Sequence, residues 1–178
     1  MELWKYVASE LSKSGIKTVL VGGAVAAVYS NGAYRSGDLD IVINSYTLKD
    51  ESIASVMQDI GFKKEGRHWK REDCEHLFIE FIRPPVAICD DYNIKPRKFL
   101  VNGQELFILS PKDCVRDRLA SYVYFKSAEC LEQAALVVAA ERVKLSELSK
   151  WAKDEGADML RALEELKRKM KAIQSTKN

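Results

Sequence analysis

The sequence has no run of about 18 apolar residues, so no segment is expected to span a membrane. Its longest apolar stretch, 134–140, reads as a buried helix segment. The opening Met1-Glu2-Leu3-Trp4-Lys5 lacks a basic leader region, and the first apolar run is broken at Gly22-Gly23, so no export signal is expected. Cysteine is scarce: Cys74, Cys89, Cys114 and Cys130 lie 15, 25 and 16 residues apart, with no C-x-x-C. That pattern argues against a disulfide framework and suits reduced core thiols in a cytoplasmic protein. His68 and His76 are the only histidines, so no Ser-His-Asp or Cys-His arrangement stands out. A zinc site from His68, Cys74 and His76 lacks a fourth ligand at a closing distance in sequence. The net charge is only +2, which excludes the strong global field of many nucleic-acid binders. There is no internal repeat and no low-complexity tract.

What remains is an ordinary globular composition over 178 residues, 47% hydrophobic and 30% charged. It excludes collagen-like and disordered classes. A chain of this order buries roughly 68–70% of its unfolded surface, enough for a real core. Charge is unevenly spread: residues 1–85 hold 11 basic and 12 acidic side chains, residues 86–178 hold 17 and 14. A small anionic ligand between the halves would suit that split, although chance accounts for it as well.

Apolar spacing at Leu3, Val7 and Leu11 predicts a helix over 2–14, closed by Gly15. A β-branched run predicts a strand over 17–21. Gly22-Gly23 follows, then an alanine-rich helix over 24–30 and a stop at Asn31-Gly32. A strand is expected over 39–44 and a helix over 51–60. Two antiparallel strands are expected over 67–71 and 75–83, ended by Pro84-Pro85. Asn102-Gly103 marks a hairpin between strands over 98–101 and 104–109. Ser110-Pro111-Lys112-Asp113 is a helix start, with Ser at the cap and Pro in the first position. Helices then follow over 112–125, 128–141, 145–154 and 157–173. The chain therefore reads as an α/β (α+β) part over 1–110 and a helical part over 111–178.

The informative segment runs from Val19 to Asn44: strand, Gly-Gly, helix, loop, then Asp38-Leu39-Asp40 leading into a strand. Side chains two apart on a strand share a face, so Asp38 and Asp40 sit together. Two carboxylates there repel unless a divalent cation lies between them, and hard oxygens suit Mg²⁺ or Mn²⁺. The glycines allow close backbone approach, and the helix start offers free N–H groups to a phosphate. Arg35-Ser36 adds a cation and a hydroxyl. In the strand around residues 76–82, Glu80 lies on the face opposite Leu77, Ile79 and Phe81. If that strand neighbours the one bearing Asp38 and Asp40, three carboxylates should converge within reach of a single metal ion.

Gly22-Gly23, the spacing to Arg35-Ser36-x-Asp38-x-Asp40, and a later lone acid on a strand resemble the DNA polymerase β-type nucleotidyltransferase superfamily. The closest likeness is to its small prokaryotic minimal and toxin-type branches. Leu109-Ser110-Pro111-x-Asp113 followed by Arg118-Leu119 resembles the same branches. The likeness covers roughly residues 15–120. It implies a nucleotidyltransferase fold, a mixed sheet flanked by helices with a C-terminal helical bundle. It further implies metal ions on Asp38, Asp40 and Glu80. Gly22, Gly23 and Ser36 would cradle phosphates, with Arg35 and Arg118 as further contacts. The reaction would move a nucleotide from an NTP to a hydroxyl, with pyrophosphate leaving. The acceptor would be an RNA end, a protein or a small molecule. Glu80 stands where the family more often has Asp, one methylene shorter, which leaves open a catalytically degenerate nucleotide-binding or toxin–antitoxin partner protein. For Arg35 and Arg118 a solvated surface position competes with phosphate contact.

Outside that segment, Lys167-Arg168-Lys169 and Lys171 read as a solvated helix face, with RNA contact as the alternative. Tyr122, Tyr124, Phe125 and Trp151 read as packing between helices rather than as a surface for stacking bases.

Overall fold

The computed structural model describes residues 2–175. Helix α1, Glu2–Lys13, buries Trp4, Val7, Ala8 and Leu11 along one stripe. Gly15, at φ +75°, lets the chain turn so that the Ile16 N–H reaches the Leu11 carbonyl at 2.9 Å. Strand β1 (Thr18–Val21) leads into α2 (Gly23–Tyr29), then β2 (Asp38–Ile43) and α3 (Asp50–Asp59). Next come β3 (Lys63–Glu65), β4 (His68–Lys70), a 3-10 turn at Glu72–Cys74, and β5 (Phe78–Ile82). The hairpin of β6 (Arg97–Val101) and β7 (Gln104–Ile108) closes the sheet-forming part. Four helices follow: α4 (Pro111–Tyr124), α5 (Ala128–Glu141), α6 (Ser149–Asp154) and α7 (Ala157–Ser175), with a 3-10 turn at Leu145–Leu148 before α6.

The strands form one seven-stranded mixed sheet in the order β3-β4-β5-β2-β1-β7-β6. β2 runs antiparallel to β1 and parallel to β5, and β1 runs parallel to β7. Leu39 and Ile41 of β2, Trp69 of β4 and Ile79 of β5 are all buried on one side of the sheet. By alternation, Asp38, Asp40, Phe78, Glu80, His68 and Lys70 project from the other side.

Helix α2 lies between the β1–β2 end of the sheet and α5. It is buried on nearly every side, at Gly23, Ala24, Val25, Ala26, Ala27 and Tyr29, which explains its alanine-rich sequence. Tyr29 donates its hydroxyl to the Leu109 carbonyl at 2.8 Å, and the Leu109 N–H bonds the Leu20 carbonyl at 3.1 Å. The next residue, Ser110, caps α4 by accepting from the Asp113 N–H at 3.2 Å, with Pro111 in the first turn. β1, α2 and the start of α4 are thus joined at one point.

The expected α/β architecture with a mixed sheet and trailing helices is the one found. Four details differ from the sequence reading. β3 was not expected: Lys63-Lys64-Glu65 carries no apolar residue and is exposed throughout, as suits a short charged edge strand. The helix expected over 145–154 divides into a 3-10 turn and α6. The polar turn at 72–74 is a 3-10 turn. Tyr124 and Phe125 are not inter-helix core: they lie at the end of α4, 54% and 80% exposed. Trp151 is half-buried beneath the Arg116 guanidinium, 4.8 Å from its ring centre, and Tyr122 donates to Glu165 at 2.9 Å. No helix among the described residues is long and apolar enough to cross a membrane.

Candidate active site

The site is built where β1 ends. Val21, its last residue, pairs with Asp40 of β2. Gly22 follows at φ +73° and ψ −157°, a conformation essentially confined to glycine. A Cβ at Gly22 would lie 2.5 Å from Asp40 Oδ2, so the backbone rests directly on that carboxylate. Gly23 opens α2 with an ordinary φ, and its absent side chain leaves a recess. A methyl group at position 23 would lie 3.3 Å from Ser36 Oγ, 3.5 Å from Tyr34 Oη and 3.6 Å from Arg118 Nη1. Two hydroxyls and a guanidinium therefore surround Gly23. Because α2 is only seven residues long, its dipole is short.

Asp38 and Asp40 share the open face of β2, as alternation requires. Ser36 donates to Asp38 Oδ1 at 2.8 Å. Burial pushes the Asp40 carboxyl up to about 6, helped by the negative charges of Asp38 and Glu80 and opposed by Arg118. Such a carboxylate gains from any cation brought beside it.

Glu80 lies directly across from Asp40 in the parallel β2–β5 pairing, on the same face. Its Oε2 lies 3.4 Å from Arg67 Nε and 3.7 Å from His68 Nε2. Among the described residues, no group of three His, Cys, Asp or Glu is close enough to hold a metal ion. The expected convergence is therefore met in face and register but not in distance: the third carboxylate is engaged by Arg67 and His68 on the β4 side. Asp38 and Asp40 remain together on that face, and their hard carboxylate oxygens are of the kind a divalent cation takes.

Arg118 is not a solvated helix residue. It is 9% exposed, and α4 and α5 hold it from two sides. Its Nε and Nη2 donate to Asp117 Oδ2 at 3.0 and 2.7 Å. Nη1 donates to Gln133 Oε1 at 3.1 Å and to Cys130 Sγ at 3.6 Å. Burial opposes the charge, yet the Asp117 carboxylate more than offsets it, and the pKa stays above that of a free arginine. Arg35, by contrast, is exposed and makes no hydrogen bond or ion pair among the described residues. It lines a cavity of about 440 Å³ with Tyr34, Ser36, His76 and Leu77, beside the carboxylate pair.

Sequence reasoning missed Tyr34, Asp117, Gln133 and Cys130, which shape the recess and fix Arg118. Only Tyr34, one residue before Arg35-Ser36, lay within a segment already singled out. Asp117 is the residue before Arg118 on α4, and Gln133 and Cys130 are brought in by the packing of α4 against α5.

No protein-family model and no curated protein matches the chain in sequence. Its backbone, however, superposes on known structures along nearly its whole length. An antigenic nucleotidyltransferase-like protein from Paracoccidioides brasiliensis matches with a TM-score of 0.64 at 16% identity, over 98% of this chain and 89% of that one. The solution structure of the antibiotic-resistance factor ANT(2'')-Ia gives 0.54 at 10% identity, over 98% and 94%. The crystal structure of ANT(2'')-Ia in complex with adenylyl-2''-tobramycin gives 0.58 at 10% identity, over 92% and 96%. The chain has the nucleotidyltransferase fold.

Proposed function

We propose that the protein is a nucleotidyltransferase that moves an NMP from an NTP to a hydroxyl acceptor. The observation that carries this reading is the juxtaposition at the end of β1. The Asp38–Asp40 pair shares one open sheet face, Gly22 lies against Asp40, and a buried Arg118 stands beside the recess at Gly23. Residues 1–110 supply the carboxylates and the glycine turn, and the helical part, 111–178, contributes Arg118.

Mg²⁺ or Mn²⁺ held by Asp38 and Asp40 would supply positive charge against the phosphate oxygens and the leaving pyrophosphate. Arg118, kept charged by Asp117, stabilises negative charge that builds during transfer, at no reorganisation cost because α4 and α5 already fix it. Ser36 and Tyr34 offer hydroxyls to the same oxygens. Glu80, one strand over from Asp40, stands on the acceptor side to orient the attacking hydroxyl and take its proton. The hydroxyl oxygen bonds to the α-phosphorus, and the bond to the bridging oxygen of the β-phosphate breaks. The adenylylated tobramycin bound by ANT(2'')-Ia is the kind of product such a transfer makes.

A second reading, a nucleotide-binding protein without turnover, draws on one observation, the engagement of Glu80 by Arg67 and His68. Incubation with each α-labelled NTP, Mg²⁺ or Mn²⁺, and total cellular RNA and protein separates the two. Transfer deposits label on an acceptor and releases an equal amount of pyrophosphate. Saturable NTP binding with no labelled product removes the enzyme reading and leaves the second.

A further inference from the structure

An arginine side chain only donates hydrogen bonds, which fixes the direction of every bond around Arg118 and the identity of the groups left over. Nε and Nη2 are spent on Asp117 Oδ2. Nη1, the nitrogen 3.6 Å from a methyl at position 23, donates along two branches on α5. One branch ends at Gln133. Its Oε1 must be the atom facing Nη1, at 3.1 Å, because the reversed amide would set donor against donor. Its Nε2 is left over and meets no acceptor among the described residues. The other branch runs through Cys130. The sulfur accepts from Nη1 at 3.6 Å, and its own proton goes to Ser127 Oγ at 3.3 Å. The Ser127 hydroxyl keeps its proton for another partner, and its side chain makes no capping bond to α5. Both branches therefore end on free donors.

Gln133 is 3% exposed, and an amide donor buried that deeply is costly unless a ligand or water takes it. Among the described residues, the side-chain polar atoms sealed from solvent without a partner are Trp4 Nε1 and Arg116 Nε, so Gln133 Nε2 still touches an accessible surface. The recess at Gly23 opens beside Arg118 Nη1, one hydrogen bond from Gln133. Charge alone does not draw an anion there. Asp117 already neutralises Arg118, and Glu129, on the first turn of α5, adds to burial in raising the pKa of the Tyr34 hydroxyl at the same recess. Neutral donors have to supply what the paired cation cannot.

We infer that Gln133 and Ser127 are phosphate-binding residues, through which α5 holds the polyphosphate of the substrate. The inference rests on the proposed nucleotidyl transfer for the identity of the ligand. An ionised phosphate fits such a rim, since its oxygens only accept and take several donors at once, whereas an ammonium group would set donor against donor. Gln133 serves twice with one side chain. Its oxygen aims Arg118, and its Nε2 donates to a phosphate oxygen, so placement of the cation and capture of the ligand are coupled. Ser127 does the same through Cys130.

The test uses the full chain and inorganic tripolyphosphate with Mg²⁺, so that neither base nor acceptor contributes. Calorimetry should show binding by wild type. Gln133→Met, which keeps the length and loses the amide without adding charge, should bind at least about tenfold more weakly, the usual size for one hydrogen bond to a charged group. Ser127→Ala should weaken binding by roughly threefold. With no capping bond to lose, its melting temperature should match wild type. The side-chain amide signal of Gln133 in the NMR spectrum is identified by its absence from Gln133→Glu, which keeps an oxygen facing Arg118. In wild type that signal should move downfield in the proton dimension as tripolyphosphate is added, a readout that does not depend on Gln133→Met folding. An unmoved amide signal, or unchanged affinity in a folded Gln133→Met, overturns the inference; label transferred from NTP by wild type then leaves the nucleotidyltransferase reading standing. A shifted amide and weakened variants, with no label on any acceptor, keep the phosphate site and remove the transfer. Wild type that binds neither tripolyphosphate nor NTP removes both.

Discussion

Asp40→Asn should abolish transfer and make the metal-free protein more stable. Asp40 is held against Gly22, largely out of water, with Asp38 and Glu80 adding negative potential. Its carboxyl sits at about 6 in the fold, against 3.8 for an aspartate free in water. A carboxyl whose pKa is raised on folding favours the folded state when protonated. That stability is fully present below about pH 4 and is lost as the pH rises through about 6. A rise of that size bounds the effect at about 3 kcal/mol, so a gain of about 1–3 kcal/mol at pH 7 is expected for the amide. Urea melts at pH 7 and pH 3.5 check the sign: the variant should exceed wild type at the higher pH and converge with it at the lower. A divalent cation at a hundredfold excess over its dissociation constant should stabilise wild type by about 2.7 kcal/mol and the variant by far less. The variant should lose about a thousandfold in transfer rate, equivalent to about 4 kcal/mol of charge stabilisation in the transition state. Equal cation-induced stabilisation of both proteins would remove the acidic pair as a metal site.

Gly22→Ala should cost nearly as much activity with the opposite effect on stability. The new methyl would stand 2.5 Å from Asp40 Oδ2 and 3.3 Å from its Cβ, so the carboxylate must swing away. The backbone conformation at Gly22 adds a strain of about 1–3 kcal/mol for any residue with a side chain. A drop of that size in unfolding free energy is expected, together with a hundredfold or greater loss of transfer. Gly23→Ala is the control. Its φ is ordinary and its nearest neighbour, Ser36 Oγ, lies 3.3 Å away. It should fold almost as wild type and weaken NTP binding by crowding the recess. Similar stabilities for the two alanine variants would show that position 22 does not need glycine.

The portions of this site legible in sequence are those set by local geometry. Alternation on a strand put Asp38 with Asp40 and turned Glu80 away from Leu77 and Ile79. The Gly-Gly pair between a strand and a helix marked the turn. Long-range contacts were not legible in that way. Nothing about Gln133 in isolation says that it meets Arg118 from another helix. Burial of Arg118 was hidden because α4 has weak amphipathic contrast: Asp113, Arg116 and Arg118 are all buried in it, each bonded to charged or polar partners, with Arg116 Nε alone left without one. Tyr124 and Phe125 misled for the converse reason, since residue type alone does not reveal that a helix end faces solvent. β3 was missed because a charged edge strand has no apolar alternation to read.

The junction of Leu20, Tyr29, Leu109 and Ser110 has a consequence for how the molecule opens. The Leu109 N–H is bonded to the strand that ends at Val21, its carbonyl to the helix that starts at Gly23, and the next residue caps the helix that carries Arg118. Leu20 and Leu109 are 0% and 1% exposed. Opening that frees the Leu109 amide must part it from β1, and letting water reach so buried a residue is expected to disturb the neighbouring contacts to α2 and α4 as well. Its hydrogen exchange should therefore proceed only through global unfolding, at the slow limit set by the whole protein's stability. The carboxylate strand, the glycine turn and the arginine helix thus belong to one cooperative unit, so an agent that loosens this site must loosen the fold with it.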